Sequence, residues 1–262
     1  MPVSNPVTDS DQTSTQTEDN TEDGLPINEL FYSLQGEGKL SGVPSVFIRT
    51  SGCNLRCWFC DSYHTSWEPA GNWLSIPDII NKVESYDDIN HVVITGGEPL
   101  IHEQTETLLK ELDKRGYHTT VETNGTIQTD TPIDLLSVSP KLQTSTPTPE
   151  KDPKGDGEWE EKHEQNRINI QTLATLYDRY NTQLKFVITN KRDIAEINNL
   201  IGSLRTTTTQ TIPNTDILLM PEGTTTEEIS QTQTLTAELA LKNGYRYTPR
   251  IHVDLWNDEP ER

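Results

Sequence analysis

Basic residues are scarce in this chain: 21 Lys and Arg stand against 41 Asp and Glu in 262 residues, a formal net charge of −20. That balance repels phosphate backbones and excludes a sequence-independent grip on nucleic acid. Apolar residues make up only 31% of the chain, and no run approaches the ~18 to 20 consecutive apolar positions that a membrane-spanning helix needs. The opening MPVSNPVTDSDQ has neither a basic n-region nor an apolar h-region, so the expected location is the cytoplasm and no membrane partner is expected. Lys is sparse while Thr, Asp and Glu are plentiful. This points to a protein adapted to high salt, where screening removes self-repulsion, with an ordinary acidic protein as the alternative. There are three cysteines, Cys53, Cys57 and Cys60. An odd number packed so closely excludes a disulfide framework and reads as a set of ligands.

Residues 1–25 hold almost nothing that can enter a core and read as a disordered acidic tail. The remainder, 26–262, reads as one domain, interrupted by a polar stretch at about 143–164 that is expected to be a long surface loop. Short β-branched runs predict strands at 44–50, 91–97, 118–124, 134–140, 184–190 and 216–222. Helical patterns alternate with them at 76–86, 103–116, 164–180, 194–204 and 226–244. In the second helix, Thr107, Leu108 and Leu112 are expected to share the buried face. The alternation predicts an α/β fold with a parallel sheet, whose chemistry gathers at the carboxyl ends of the strands.

The cysteines form a C-x3-C-x2-C array directly after the predicted strand 44–50. Three thiolates in one loop hold three irons of a [4Fe–4S] cluster and leave the fourth open for a ligand. A zinc site completed by His64, or plain buried thiols, are the alternatives. A second motif, Gly96-Gly97-Glu98-Pro99, ends the strand 91–97. Its glycines allow close backbone approach, and Glu98 is suited to accept from an ammonium group; a tight βα turn is the plain alternative.

With both motifs in place, the chain closely resembles the radical S-adenosylmethionine superfamily. Phe59 fills the aromatic place before the third cysteine. The resemblance implies a partial, modified (β/α) barrel in which S-adenosylmethionine chelates the open iron. One electron then releases a 5′-deoxyadenosyl radical. It also implies cofactor contacts at Phe59, Gly97, Glu98, Ser139-Pro140-Lys141 and Met220-Pro221-Glu222-Gly223. Glu122-Thr123-Asn124-Gly125 is a weaker parallel, since Asn-Gly is a generic turn.

Upstream, Ser33-Leu34-Gln35-Gly36-Glu37-Gly38, the run Phe47-Ile48-Arg49 and the sequence Cys60-Asp61-Ser62 resemble the 7-carboxy-7-deazaguanine synthase family. That family turns 6-carboxy-5,6,7,8-tetrahydropterin into 7-carboxy-7-deazaguanine with loss of ammonia, on the way to archaeosine or queuosine in tRNA. The resemblance implies substrate contacts at Leu34, Gln35, Gly36, Glu37, Arg49 and Thr95, and a Mg²⁺ held by Ser62. It further implies an external electron donor of the flavodoxin or ferredoxin class, and a homodimer. For Arg49 the alternative is a structural ion pair, and for Ser62 a turn cap. The C-terminal IHVDLWNDEPER matches poorly and is assigned no substrate contact. A glycyl radical-activating enzyme and a non-catalytic iron–sulfur redox protein are the rival readings. SLQGEG speaks against the first, and GGEP against the second.

Overall fold

The computed structural model describes residues 24–257 and Glu259. Nine strands form one sheet in the order β3-β1-β2-β4-β5-β6-β7-β8-β9. They are β1 (Gly24–Leu34), β2 (Pro44–Thr50), β3 (Asn72–Ser75), β4 (His91–Gly96), β5 (His118–Thr123), β6 (Leu135–Val138), β7 (Thr182–Ile188), β8 (Ile217–Pro221) and β9 (Arg246–Tyr247). From β2 to β9 every pairing is parallel, whereas β1 runs antiparallel to both β2 and β3. The result is a mixed α/β, mostly parallel sheet of the partial-barrel kind.

The parallel strands are runs such as Val92-Val93-Ile94, buried on both faces. Between them lie the helices α2 (Ile76–Glu84), α3 (Gln104–Lys114), α5 (Ile170–Arg179), α6 (Asp193–Thr207) and α7 (Thr226–Asn243), with short α1 (Tyr63–Ser66), α4 (Glu160–Asn166) and α8 (Ile251–Trp256) beside them. The starts and stops are local chemistry. The Ser75 hydroxyl accepts from the Asp78 amide at 3.2 Å to begin α2. Thr225 and Glu228 form a reciprocal capping box on α7, which Gly244 ends at φ 67°. The core is continuous from Leu25 to Ala240, and each fully buried Leu or Ile in it contributes about 1.5–3 kcal/mol.

Several expectations need correction. In α3 the buried residues are Thr105, Leu108, Leu109 and Leu112, while Thr107 faces solvent. The helix expected over 164–180 is two, because the Asn169 side chain accepts from the Thr172 amide at 3.1 Å and starts a fresh N-terminus. Gly24 and Leu25, assigned to the tail by composition, begin β1, with Leu25 fully buried; the rest of the tail lies outside the described residues. The polar insert is no simple surface loop either, since Ser145, Thr146 and His163 are buried within it.

β1 positions the site. Its end carries residues 35–39 across the open side of the sheet, where the Ile251 amide donates to Gly36 O at 2.9 Å and the Gly38 amide donates to Thr248 Oγ1 at 2.7 Å. Among the described residues no helix is long and apolar enough to cross a membrane.

Candidate active site

Pairing register builds the floor of the site. Glu29 lies opposite Arg49 and Arg49 opposite Thr95, while on the next strands Glu122 lies opposite Ser137 and Ser137 opposite Gln183. A row of polar side chains therefore crosses the sheet beneath a cavity of about 620 Å³, a volume suited to small-molecule ligands.

The cysteine loop leaves β2 through Gly52, at φ 104°. It is pinned where Gly52 N–H donates to Thr65 O at 2.8 Å and Gly52 O accepts from the Glu98 amide at 2.9 Å. Gly97 makes this approach possible: a Cβ there would sit 2.1 Å from Gly52 O. All three cysteines line the cavity. Leu55 N–H points at Cys53 Sγ from 3.4 Å, and the Ser66 hydroxyl at Cys60 Sγ from 3.1 Å. Burial pushes the Cys53 and Cys57 thiols up to about 12, so these sulfurs become thiolates only against a positive centre. Such a donor set fits three corners of an iron–sulfur cluster.

Among the other expected cofactor contacts, Phe59, Gly97, Ser139, Lys141, Met220, Glu222 and Gly223 line the cavity. Glu98, Pro140 and Pro221 are buried and do not line it. Glu98, expected as an acceptor for an ammonium group, accepts three hydrogen bonds from within the fold. Oε1 accepts from the Thr123 hydroxyl at 2.8 Å and the Leu100 amide at 3.1 Å, and Oε2 from the Asn124 amide at 2.7 Å. The carboxyl, which burial pushes up, is a strut joining the ends of β4 and β5.

The expected substrate contacts Leu34, Gln35, Gly36, Glu37, Arg49 and Thr95 all line the cavity. Arg49 Nε meets Glu29 Oε2 at 2.7 Å, the ion pair weighed as its alternative role, and Nη1 donates to Ser62 Oγ at 2.9 Å. Arg49 and Ser62 therefore share one corner. Gln35 donates to Ser45 Oγ at 3.0 Å. At Gly36 a Cβ would fall 1.7 Å from His252 Nδ1, so only glycine admits that imidazole.

The opposite wall is a charge network that sequence reasoning missed. Lys185, almost fully buried, bonds Glu37 and reaches Glu122 Oε1 at 3.1 Å. Arg250 Nε donates to Glu37 at 2.9 Å, its Nη2 to Asp61 Oδ2 at 2.6 Å and its Nη1 to Gly223 O. Burial alone would raise the Glu37 carboxyl, but the two cations outweigh it and hold it far below the usual range. Thr95 donates to Glu122 Oε2 at 2.9 Å. Lys185 falls in the predicted strand 184–190 without an assigned role, and His252 lies in the poorly matching C-terminal stretch, with Arg250 just before it.

Comparisons with known proteins agree with this geometry. Residues 47–142 match the Radical SAM superfamily. The whole chain is 59% identical to the full length of a 7-carboxy-7-deazaguanine synthase of Halobacterium salinarum. The chain belongs to the 7-carboxy-7-deazaguanine synthase family. A Rhodopirellula baltica synthase of this family is 39% identical over 89% of this chain and 87% of its own length. The crystal structure of QueE from Escherichia coli superposes with a TM-score of 0.64 at 30% identity, covering 87% of this chain and 95% of that one. Family membership brings the [4Fe–4S] cluster and S-adenosylmethionine and sets aside both rival readings.

One further titration follows from the site's outer wall. His163 is fully buried, and burial pushes its imidazole down to about 4, with Arg167 adding to the effect and Glu164 opposing it. An unfolded imidazole protonates near ~6.5. Between the two values the unfolded chain binds more protons, so stability rises with pH and is lost as pH falls through this window. Urea titrations from pH 7 to 4 are expected to show wild type losing ~3 kcal/mol relative to His163→Phe. A pH-independent difference between the two would show that His163 does not titrate this way.

Proposed function

We propose that this cavity carries out the radical ring contraction of 6-carboxy-5,6,7,8-tetrahydropterin to 7-carboxy-7-deazaguanine with release of ammonia. The observation that carries the reading is three cysteine sulfurs facing the same cavity as a row of paired charges suited to a zwitterion-like heterocycle with one carboxylate. Cys53, Cys57 and Cys60 hold the cluster, and Phe59, Gly97, Ser139, Lys141, Met220, Glu222 and Gly223 form the S-adenosylmethionine side. When bound, cluster and S-adenosylmethionine supply a 5′-deoxyadenosyl radical that exchanges a hydrogen with substrate C6.

The protein's part is positioning. Arg49, already oriented by Glu29 and Ser62, offers its remaining N–H groups to the substrate carboxylate. Glu122, fixed from both sides by Thr95 and Lys185, presents a carboxylate to pterin N–H groups. Lys185 and Arg250 keep Glu37 ionised, so it remains an acceptor throughout. Gln35, Gly36 and Leu34 close over the ring, and the closed site keeps competing hydrogen donors away. A single continuous core that includes Leu25 supports reading the described residues 24–257 as one domain. We assign the reductant to the flavodoxin or ferredoxin class, the active form to a homodimer and the site of action to the cytoplasm, as the family resemblance implies.

Ser62 is proposed as the protein ligand of a Mg²⁺ that also takes substrate carboxylate oxygens. Its hydroxyl lies 2.9 Å from Arg49 Nη1 and 3.3 Å from Asp61 Oδ1, a corner where a hard cation would find oxygen donors. Anaerobic turnover with mass detection of the product tests the reaction, and a magnesium titration tests the metal. Ser62→Ala is expected to slow product formation as metal omission does, while reductive cleavage of S-adenosylmethionine persists. Arg49→Ala should raise KM ~10-fold or more at every magnesium concentration, as for loss of a charged hydrogen bond. Wild-type turnover that survives thorough chelation with the cluster intact removes the metal role.

A further inference from the structure

We propose that Ser66 is a positioning residue for the cluster: its hydroxyl donates to the Cys60 sulfur and raises the reduction potential at which the cluster takes up its electron. The inference rests on Cys60 being a cluster ligand. Ser66 belongs to none of the motifs that mark the site, and it is buried at the end of α1, six positions beyond the cysteine it touches.

The hydroxyl has one proton to give and two acceptors near it. Cys60 Sγ lies 3.1 Å away, and Ser62 O lies at 3.5 Å. The carbonyl is already supplied, because Ser62 O accepts from the Thr65 amide at 2.9 Å and from the Thr65 hydroxyl at 2.7 Å. Both of its lone pairs are engaged, so the Ser66 proton goes to sulfur. Ligation fixes the direction of this bond. A thiolate has no proton of its own and can only accept, and toward it the bond becomes charge-assisted.

The residues on either side hold that geometry. Thr65 O accepts from the Gly52 amide at 2.8 Å, and the buried Trp67 indole donates to Cys57 O at 2.9 Å. Thr65, Ser66 and Trp67 therefore grip the cysteine loop at three successive points, and the hydroxyl is held where it meets the sulfur. At Cys53 the donor is the Leu55 backbone amide, at 3.4 Å, which no side-chain substitution removes. At Cys60 a single substitution strips the sulfur of this donor. Reduction adds negative charge to the cluster and its sulfurs, so a proton held against one of them favours the reduced state.

The test is a redox titration of the reconstituted full chain, with electron paramagnetic resonance of the reduced cluster, for wild type, Ser66→Ala and Ser66→Thr. Iron and sulfide content and circular dichroism are measured alongside. Wild type without a cluster, or Cys60→Ala with a full one, would defeat the ligand reading itself. With that reading intact, Ser66→Ala is expected to keep its iron and to show a lower potential. Its reduced-to-oxidised ratio at fixed solution potential should fall by about three- to ten-fold, or ~28 to ~59 mV for one electron. Ser66→Thr, which keeps the hydroxyl, should restore the wild-type ratio. Should Ser66→Ala not fold, Ser66→Gly decides on the same measurements. A wild-type potential and spectrum in the variant without a hydroxyl overturns the proposal. So does a folded variant that cannot load, since Ser66 would then be only a prop of the loop.

Discussion

Replacing Cys53, Cys57 or Cys60 with Ala is expected to abolish the [4Fe–4S] cluster and, with it, all reductive cleavage of S-adenosylmethionine. Two thiolates cannot hold the three irons that the loop geometry offers, so the loss should be complete rather than graded. The fold should survive. The three sulfurs face the cavity, so each truncation removes little packing. The cost is about 1 kcal/mol, or ~2–4 °C in Tm for a chain of this size. Iron and sulfide analysis with circular dichroism checks both halves. Full iron in any of the three variants would remove that cysteine from the ligand set.

Gly97→Ala carries the second large effect, for a steric reason. A Cβ at Gly97 would lie 2.1 Å from Gly52 O and 2.8 Å from Thr65 O, both backbone atoms that no rotamer change can move. The clash separates the β4 turn from the cysteine loop. It breaks the bond from the Gly97 amide to Thr50 O at 3.2 Å and that from the Glu98 amide to Gly52 O at 2.9 Å. We expect a loss of about 3 kcal/mol or more in urea unfolding, together with poor cluster loading. Gly202→Ala is the control. That glycine lies within α6 with nothing within 4 Å of its would-be Cβ, so alanine there should stabilise by ~0.5–1 kcal/mol. A near-wild-type midpoint for Gly97→Ala would show that the turn has slack the geometry does not suggest.

Much of the frame was legible in the sequence because it depends on local pattern. Six parallel strands could be read from short runs rich in β-branched residues, such as Val92-Val93-Ile94, of the kind that buried strands favour. The long strand β1 was not recognised. It lies between β3 and β2 in the antiparallel part of the sheet and mixes polar with apolar residues, so no continuous apolar run marks it. The break at Asn169 was hidden for the opposite reason: the helical pattern continues through it, and one side-chain cap decides where the second helix starts.

The sequence by itself determined the chemistry of this protein. The cysteine spacing, the double glycine of Gly96-Gly97 and the order of the strands are written in consecutive residues, because a cluster loop and a βα turn are each built within a few positions. Only the tertiary structure decided what surrounds that chemistry. Lys185, Arg250 and His252 reach the cavity from the far half of the chain, and Glu98 braces β5 through Thr123 and Asn124. The physical reason is distance in sequence. A buried charge tolerates its site only when opposite charges meet it there, and Glu37 meets Arg250 across 213 positions, a pairing that no local pattern encodes.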